Sequence, residues 1–352
     1  MVDSVANATS TPTIEPNCLA IHLTYRCPLS CAHCCFSSDG YKLGHQDLAQ
    51  ITRLIDEALL LGTIRFVGFT GGDPFLHQDI LHEAIRYASQ KGLRTRVVTS
   101  AYWATSPEKA TRTLASLADA GLKEMTVSYD DAHAEFVKAP NIRHAYHTAR
   151  KLGVFTAVTI CLEPECKIDR NVVLDILRED ATDPLPLLQV FESRVTSTGR
   201  ALEGESLNRL NARSNDRDVY RGPCPHVLRQ PTVTPTGQIM ACCGTLPFRK
   251  GLCIGDVKTH SINQAINAAY QDDIMRWLAF EGPVEILKYI TSDTDTPFHD
   301  RDFDGICHAC DVLFSSERLQ TLLAEKVLEK KESLRIQAAI YEGVGLLRSP
   351  TQ

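Results

Sequence analysis

Between residues 18 and about 200 the chain alternates short apolar runs with stretches whose apolar residues recur every three to four positions. Cys18–Thr24 (CLAIHLT) predicts a first strand. Leu48, Ile51, Leu54, Ile55, Ala58 and Leu59 then recur at helical spacing and predict a helix over 47–61. The same alternation continues. Strands are predicted at 64–70, 93–99, 122–128, 154–160 and 187–195. Helices are predicted at 80–90, 106–121, 141–152 and 171–178. Ser106-Pro107 supplies a cap and a first-turn proline, and Gly92, Gly121 and Gly153 follow helix ends. Six strands separated by helices predict an α/β fold with a parallel sheet, either doubly wound or a barrel. A complete eight-fold barrel takes about 250 residues, so six units in about 180 predict a partial (β/α)6 barrel.

Past Gly199 the alternation stops. Residues 201–235 are polar and turn-rich. Thr232–Cys243 predicts a hairpin turning at Thr236-Gly237, and 261–280 predicts a helix. A loop, 292–305, precedes Cys307 and Cys310. The final stretch from Ser315 to about Leu347 predicts an amphipathic helix with a stripe of Leu319, Leu322, Leu323, Val327, Leu328 and Ile336. The stripe is expected to pack on the chain's own domains. The predicted division is a flexible polar tail (1–17), the partial barrel (18–200), a smaller cysteine-bearing domain (201–314) and a terminal helix (315–352).

Composition narrows the chemistry. With 352 residues, 43% hydrophobic and 23% charged, the chain can bury a core. Its net charge of −6 and lack of a Lys/Arg run argue against a nucleic-acid partner. No apolar run reaches the ~20 residues that cross a bilayer. No basic, then apolar, export signal opens the chain, so a cytoplasmic location without a membrane partner is expected. The 13 cysteines are an odd number, which points to metal or redox chemistry rather than a disulfide framework.

Behind the first predicted strand stands Cys27-Pro28-Leu29-Ser30-Cys31-Ala32-His33-Cys34, a C-x₃-C-x₂-C pattern. Three thiolates within eight residues can converge on one soft-metal centre and leave a coordination position open for a ligand. Spacing alone also admits a zinc site completed by His33 or Cys35. The string CPLSCAHC after a strand resembles the signature of the radical S-adenosylmethionine (SAM) superfamily. The resemblance covers residues 18 to about 200. It implies that Cys27, Cys31 and Cys34 hold a 4Fe–4S cluster whose open iron binds SAM, and that reductive cleavage gives a 5′-deoxyadenosyl radical. The resemblance also assigns Gly71, Gly72, Asp73 and Pro74 to the SAM amino group. Asp73 stands where the family commonly has Glu. Ser100 is assigned to the SAM carboxylate or ribose, Ser128 and Asp130 to the ribose, and strand 157–160 to the adenine. Arg194 could reach the SAM carboxylate or be an ordinary surface arginine. Tyr102 and Trp103 are pocket walls or simple packing, and His22 is expected to be a core histidine.

A second group, Cys224, Cys242, Cys243, Cys253, Cys307 and Cys310, falls in the last third. The C-x₂-C pair reads as a metal hairpin. With Cys224 and one of Cys242 or Cys243 it makes four ligands, complete for a 4Fe–4S cluster. A structural zinc is the other reading. The segment resembles the SPASM and twitch extensions of radical SAM enzymes. That implies one auxiliary cluster, or two if Cys242, Cys243 and Cys253 all serve.

The resemblance implies an enzyme that abstracts a hydrogen from a ribosomally made precursor peptide, with crosslinking or epimerisation as outcome. A small-metabolite oxidoreductase and a non-catalytic electron-transfer protein are the alternatives, and the open three-cysteine site argues against the last. A flavodoxin or ferredoxin is the expected reductant. Cys161, at the end of the fifth predicted strand, is the first candidate for a hydrogen-donating catalytic thiol. Cys166 and Cys253 follow it.

Overall fold

The computed structural model describes residues 14–163, 165–202, 219–242 and 249–348. Six parallel strands follow each other in chain order: β1 (Cys18–Thr24), β2 (Phe66–Gly71), β3 (Arg94–Thr99), β4 (Glu124–Ser128), β5 (Phe155–Leu162) and β6 (Leu188–Arg194). Each pairs in register with the next, for example Ala20↔Gly68, Val97↔Met125 and Val158↔Val190. The crossovers are α1 (Leu48–Leu59), α2 (Gln78–Gln90), α3 (Pro107–Ala120), the short α4 (Asp131–Ala134) with α5 (Ala139–Lys151), and α6 (Arg170–Leu177). Consecutive long helices pack side by side. The fold is the partial parallel barrel expected, and its two edge strands do not meet.

Local sequence explains these elements. Asp47 caps α1 by accepting from Gln50 N at 2.7 Å, and Ser106 caps α3, with Pro107 at its first position. Ile51, Leu54, Ile55 and Ala58 form the buried face of α1.

The hairpin β7 (Thr232–Val233) and β8 (Gln238–Met240) turns where expected. It does more than the sequence reading proposed: β7 pairs in parallel with β1 through Ala20↔Thr232 and Ile21↔Val233. β9 (Cys253–Asp256) then extends one nine-stranded sheet. The buried Gln46 side chain stitches the junction, donating to the carbonyls of His22, Val233 and Thr234 at 3.1, 3.0 and 3.2 Å. Cysteines of the C-terminal third are thereby held against the edge of the barrel.

Three details differ from expectation. The helix expected over 261–280 is two, α7 (Ile262–Gln271) and α8 (Asp273–Phe280), because the Asp272 carboxylate accepts from Ile274 N and Met275 N and starts a new helix. After α9 (Pro283–Ile290), Cys307 and Cys310 lie in a helix, α10 (Ile306–Ser315), not a hairpin; their spacing puts both on one face. Ile14, assigned to the polar tail, is buried and bridges to Leu347.

The terminal helix α11 (Glu317–Gly343) packs on α8, α9 and α10. Leu319, Leu323, Leu334 and Ala338 are its buried face. Leu328 and Ile336, placed on the stripe from sequence, are exposed.

Candidate active site

The cysteine loop leaves the carboxyl end of β1, where parallel α/β sheets expose their loops for chemistry. Its backbone is tied down on both sides. Cys27 N donates to Asp39 O at 2.8 Å, and Cys34 N to Cys31 O at 3.1 Å. Arg200, just past β6, donates to the carbonyls of Cys31 and Ser38, each at 2.7 Å, while its own N–H reaches Cys34 O at 3.0 Å. The sequence reading missed Arg200, which lies more than 160 residues away; nothing local in the sequence announces it.

Cys27, Cys31 and Cys34 line one cavity of about 330 Å³, within the range of small-molecule sites. Burial, then the Asp73 carboxylate and Cys34, push the Cys27 thiol up to about 12. Burial and then the neighbouring Cys27 and Cys34 push Cys31 up as well. A cation would stabilise Cys27 and Cys31 as thiolates against this burial, and with Cys34 on the same cavity the donor set fits a soft metal or an iron–sulfur cluster.

Gly71 and Gly72 lie at the exit of β2, against the same loop. Gly71 adopts φ +117, and an added Cβ would stand 2.2 Å from Thr24 O; at Gly72 it would stand 2.0 Å from Arg26 O. Gly72 N donates to Thr24 O at 2.6 Å and Asp73 N to Arg26 O at 3.0 Å. The missing side chains thus let the two loops meet backbone to backbone, while both glycines line the cavity.

Asp73 is buried, and its carboxylate accepts from Thr99 Oγ1, Ser100 N, Ser100 Oγ and Phe75 N, all at 2.8–3.1 Å. Pro74 is buried at the start of a short 3-10 turn. Burial raises the Asp73 pKa in spite of these bonds. Trp103 donates to Thr99 Oγ1 at 3.1 Å and stacks on Phe75, so it is packing rather than cavity wall.

Ser128, Cys161 and Arg194 line the cavity from the ends of β4, β5 and β6. The Ser128 hydroxyl lies 3.4 Å from Thr159 Oγ1. Of the strand expected to face adenine, residues 157–160 stay behind the cavity wall and Cys161 is the first to reach it. Burial, and then the Asp130 charge, raise the Cys161 thiol to about 11. Asp130 is engaged otherwise than expected. Its Oδ1 lies 2.9 Å from His33 Nε2 and 2.8 Å from His133 Nδ1, and its Oδ2 accepts from Cys161 N at 3.2 Å. Burial alone would raise this carboxyl, but the two imidazoles hold it well below the usual range. His133 had no role in the sequence reading; no periodicity links it to His33. His22 is a core residue, buried and held neutral near a pKa of 3 by desolvation, with Nδ1 3.1 Å from Tyr25 Oη.

Cys224, Cys242, Cys307 and Cys310 converge on a second, smaller cavity together with His226. Cys307 lines both cavities, so the first turn of α10 is their common wall. Cys224 is fixed by its N–H to Leu278 O at 3.0 Å, and Cys242 by its carbonyl to Thr232 Oγ1 at 2.7 Å. Arg249 braces α10 beside Cys310 with a two-pronged bond to Asp311, at 2.6 and 2.7 Å. Asp304, just before α10, accepts from Ser197 N at 3.0 Å and ties that helix to the segment after β6. Cys243 lies outside the described residues. Cys253 and Cys166 line neither cavity, and Cys253 Sγ faces Gly255 O at 3.3 Å. Among the described residues no helix is long and apolar enough to cross a membrane.

The chain matches the family model described as Radical SAM superfamily over residues 21–160. It is 24% identical over 306 residues to the "Putative peptide biosynthesis protein YydG" of Bacillus subtilis (strain 168), covering 85% of this chain and 92% of that one. It is 35% identical over 123 residues to a PqqA peptide cyclase of Rhodopseudomonas palustris (strain ATCC BAA-98 / CGA009), covering 34% of this chain and 30% of that one. Similar solved structures include BtrN in an open conformation, with TM-score 0.43 and 12% identity, covering 76% of this chain and 86% of that one. Streptococcus suis SuiB bound to S-adenosylmethionine has TM-score 0.39 and 14% identity, covering 75% and 66%.

Proposed function

The chain belongs to the radical SAM superfamily, and on that premise we propose that it is an enzyme that abstracts a hydrogen from a ribosomally made peptide, followed by oxidative bond formation on a side chain. The observation that carries the reading is the convergence of Cys27, Cys31 and Cys34 on the cavity that Gly71 and Gly72 border. The names of the two curated relatives, one in peptide biosynthesis and one a peptide cyclase, support a peptide substrate.

In this reading Cys27, Cys31 and Cys34 hold a 4Fe–4S cluster with an open position. Gly71, Gly72, Ser128 and Arg194 face the SAM site. Asp73 with Ser100, and Asp130 with His33, hold that site's walls. Together the cluster and SAM supply one-electron cleavage to methionine and a carbon radical that takes a substrate hydrogen. The protein's task is to exclude water and place that hydrogen. Cys224, Cys242, Cys307 and Cys310 hold an auxiliary 4Fe–4S cluster, which the four converging thiols support. A flavodoxin- or ferredoxin-type reductant delivers the electron.

The test is anaerobic incubation of reconstituted enzyme with SAM, dithionite and any short peptide found encoded beside the gene. A product lighter by about 2 Da, the two hydrogens lost on oxidation, formed with 5′-deoxyadenosine, supports the reading. An unchanged mass with one deuterium gained from heavy water replaces it with epimerisation, for which Cys161 is the candidate donor.

A further inference from the structure

The four-thiol cavity contains a donor that the cysteine pattern does not account for. His226 lines it, two residues beyond Cys224. Its Nδ1 is buried and, among the described residues, meets no hydrogen-bond partner, and no other residue lining this cavity has such a nitrogen among the described residues. The imidazole is not on a loose segment. Arg229 N and Gln230 N both donate to His226 O at 3.0 Å, and Leu228 N donates to Ala241 O at 2.9 Å, one residue before Cys242. A buried polar nitrogen left without a partner costs about 1–3 kcal/mol, so a rigid turn that holds one there implies an acceptor in the cavity. The walls beside it, Val227, Leu252, Leu278 and Ile306, offer none.

Four thiolates already complete the ligand set of a 4Fe–4S cluster, which leaves the imidazole the part of a donor. We propose that His226 donates its Nδ1–H to a sulfur of the cluster held by Cys224, Cys242, Cys307 and Cys310 and thereby raises that cluster's reduction potential. The hydrogen bond favours the reduced cluster because reduction adds negative charge to the sulfurs. In an apolar pocket the effect is little screened. An auxiliary cluster poised this way is the better acceptor for the electron left over after oxidative bond formation. The inference rests on the auxiliary-cluster reading above.

The experiment uses the full chain carrying Cys27→Ala, Cys31→Ala and Cys34→Ala, in which only the auxiliary site can hold iron. Adding His226→Ala should leave the iron content unchanged and shift the midpoint potential, read by redox-titrated EPR, to a more negative value. His226→Gln, whose amide can still donate, should recover part of the shift. An unchanged potential in His226→Ala overturns the proposal. If His226→Ala fails to retain iron, pulsed EPR of the His226-containing protein decides: weak nitrogen coupling supports a hydrogen bond, and the strong coupling of a bound imidazole overturns it. Absence of iron from the triple variant itself would instead remove the auxiliary cluster, and the proposal with it.

Discussion

His33 Nε2 lies 2.9 Å from Asp130 Oδ1, joining the cysteine loop after β1 to the end of β4 across 97 residues. The same carboxylate meets His133 and the N–H of Cys161, so one buried acid sets the spacing of three strand ends. Asp130→Asn should cost about 1–3 kcal/mol, since a charged acceptor with buried partners is replaced by a neutral amide. The carboxyl is held below its usual range in the fold. Its contribution is therefore present above the unfolded carboxyl pKa of about 4 and is lost as pH falls through the folded value. Urea unfolding of both proteins near neutral pH should show the gap, which should narrow in acid. Equal stability near neutrality would contradict this role.

The backbone contact beneath Gly71 predicts a sharp contrast along β2. Gly71→Ala places a Cβ 2.2 Å from a carbonyl oxygen at a positive φ and should cost about 2–4 kcal/mol. Gly68→Ala, with nothing within 4 Å of the added carbon, should stay within about 0.5 kcal/mol of the parent. Thermal denaturation of the two variants measures the difference. Similar values would mean that the β2 exit does not depend on close packing.

The parallel barrel was legible because each unit carries its own period. The first strand is predicted with the observed ends, and α1 is one or two residues shorter than predicted at each end. The three-cysteine loop was legible because its donors lie within eight residues. What escaped depends on distant chain. Arg200 lies beyond the sixth strand and meets Cys31 across 169 residues of sequence. Asp130 is occupied by one histidine from the cysteine loop and another from α4. The pairing of β7 with β1 rests on two residues, too few for any pattern. On α11, Leu328 and Ile336 share apolar character with Leu334 but not its face, and only the packing on α8 and α9 separates them.

Cys161 predicts a pH dependence. Its thiol is raised to about 11, and the thiolate is the reactive form. Alkylation at Cys161 should therefore rise about a hundred-fold between about pH 8 and about pH 10 in protein that remains folded. Mass-spectrometric mapping of iodoacetamide labelling follows that site alone. A rate that levels off below about pH 9.5 would show that burial does not hold the proton there.

The terminal helix offers a test of packing. Leu334 is fully buried on α11, and Leu334→Ala should destabilise by about 2–5 kcal/mol. Leu328 is 67% exposed, and Leu328→Ala should change stability by no more than about 0.5 kcal/mol. Chemical denaturation distinguishes them. A larger loss at Leu328 would indicate a partner on the outer face.

The most direct measurement of the central claim is SAM cleavage in the absence of peptide. Anaerobically reconstituted protein, reduced with dithionite and given SAM, should form 5′-deoxyadenosine and methionine in equal amounts. The variant carrying Cys27→Ala, Cys31→Ala and Cys34→Ala should form none while retaining roughly four iron atoms per chain at the auxiliary site. Undiminished 5′-deoxyadenosine formation by that variant would contradict the assignment of these three thiols to the catalytic centre.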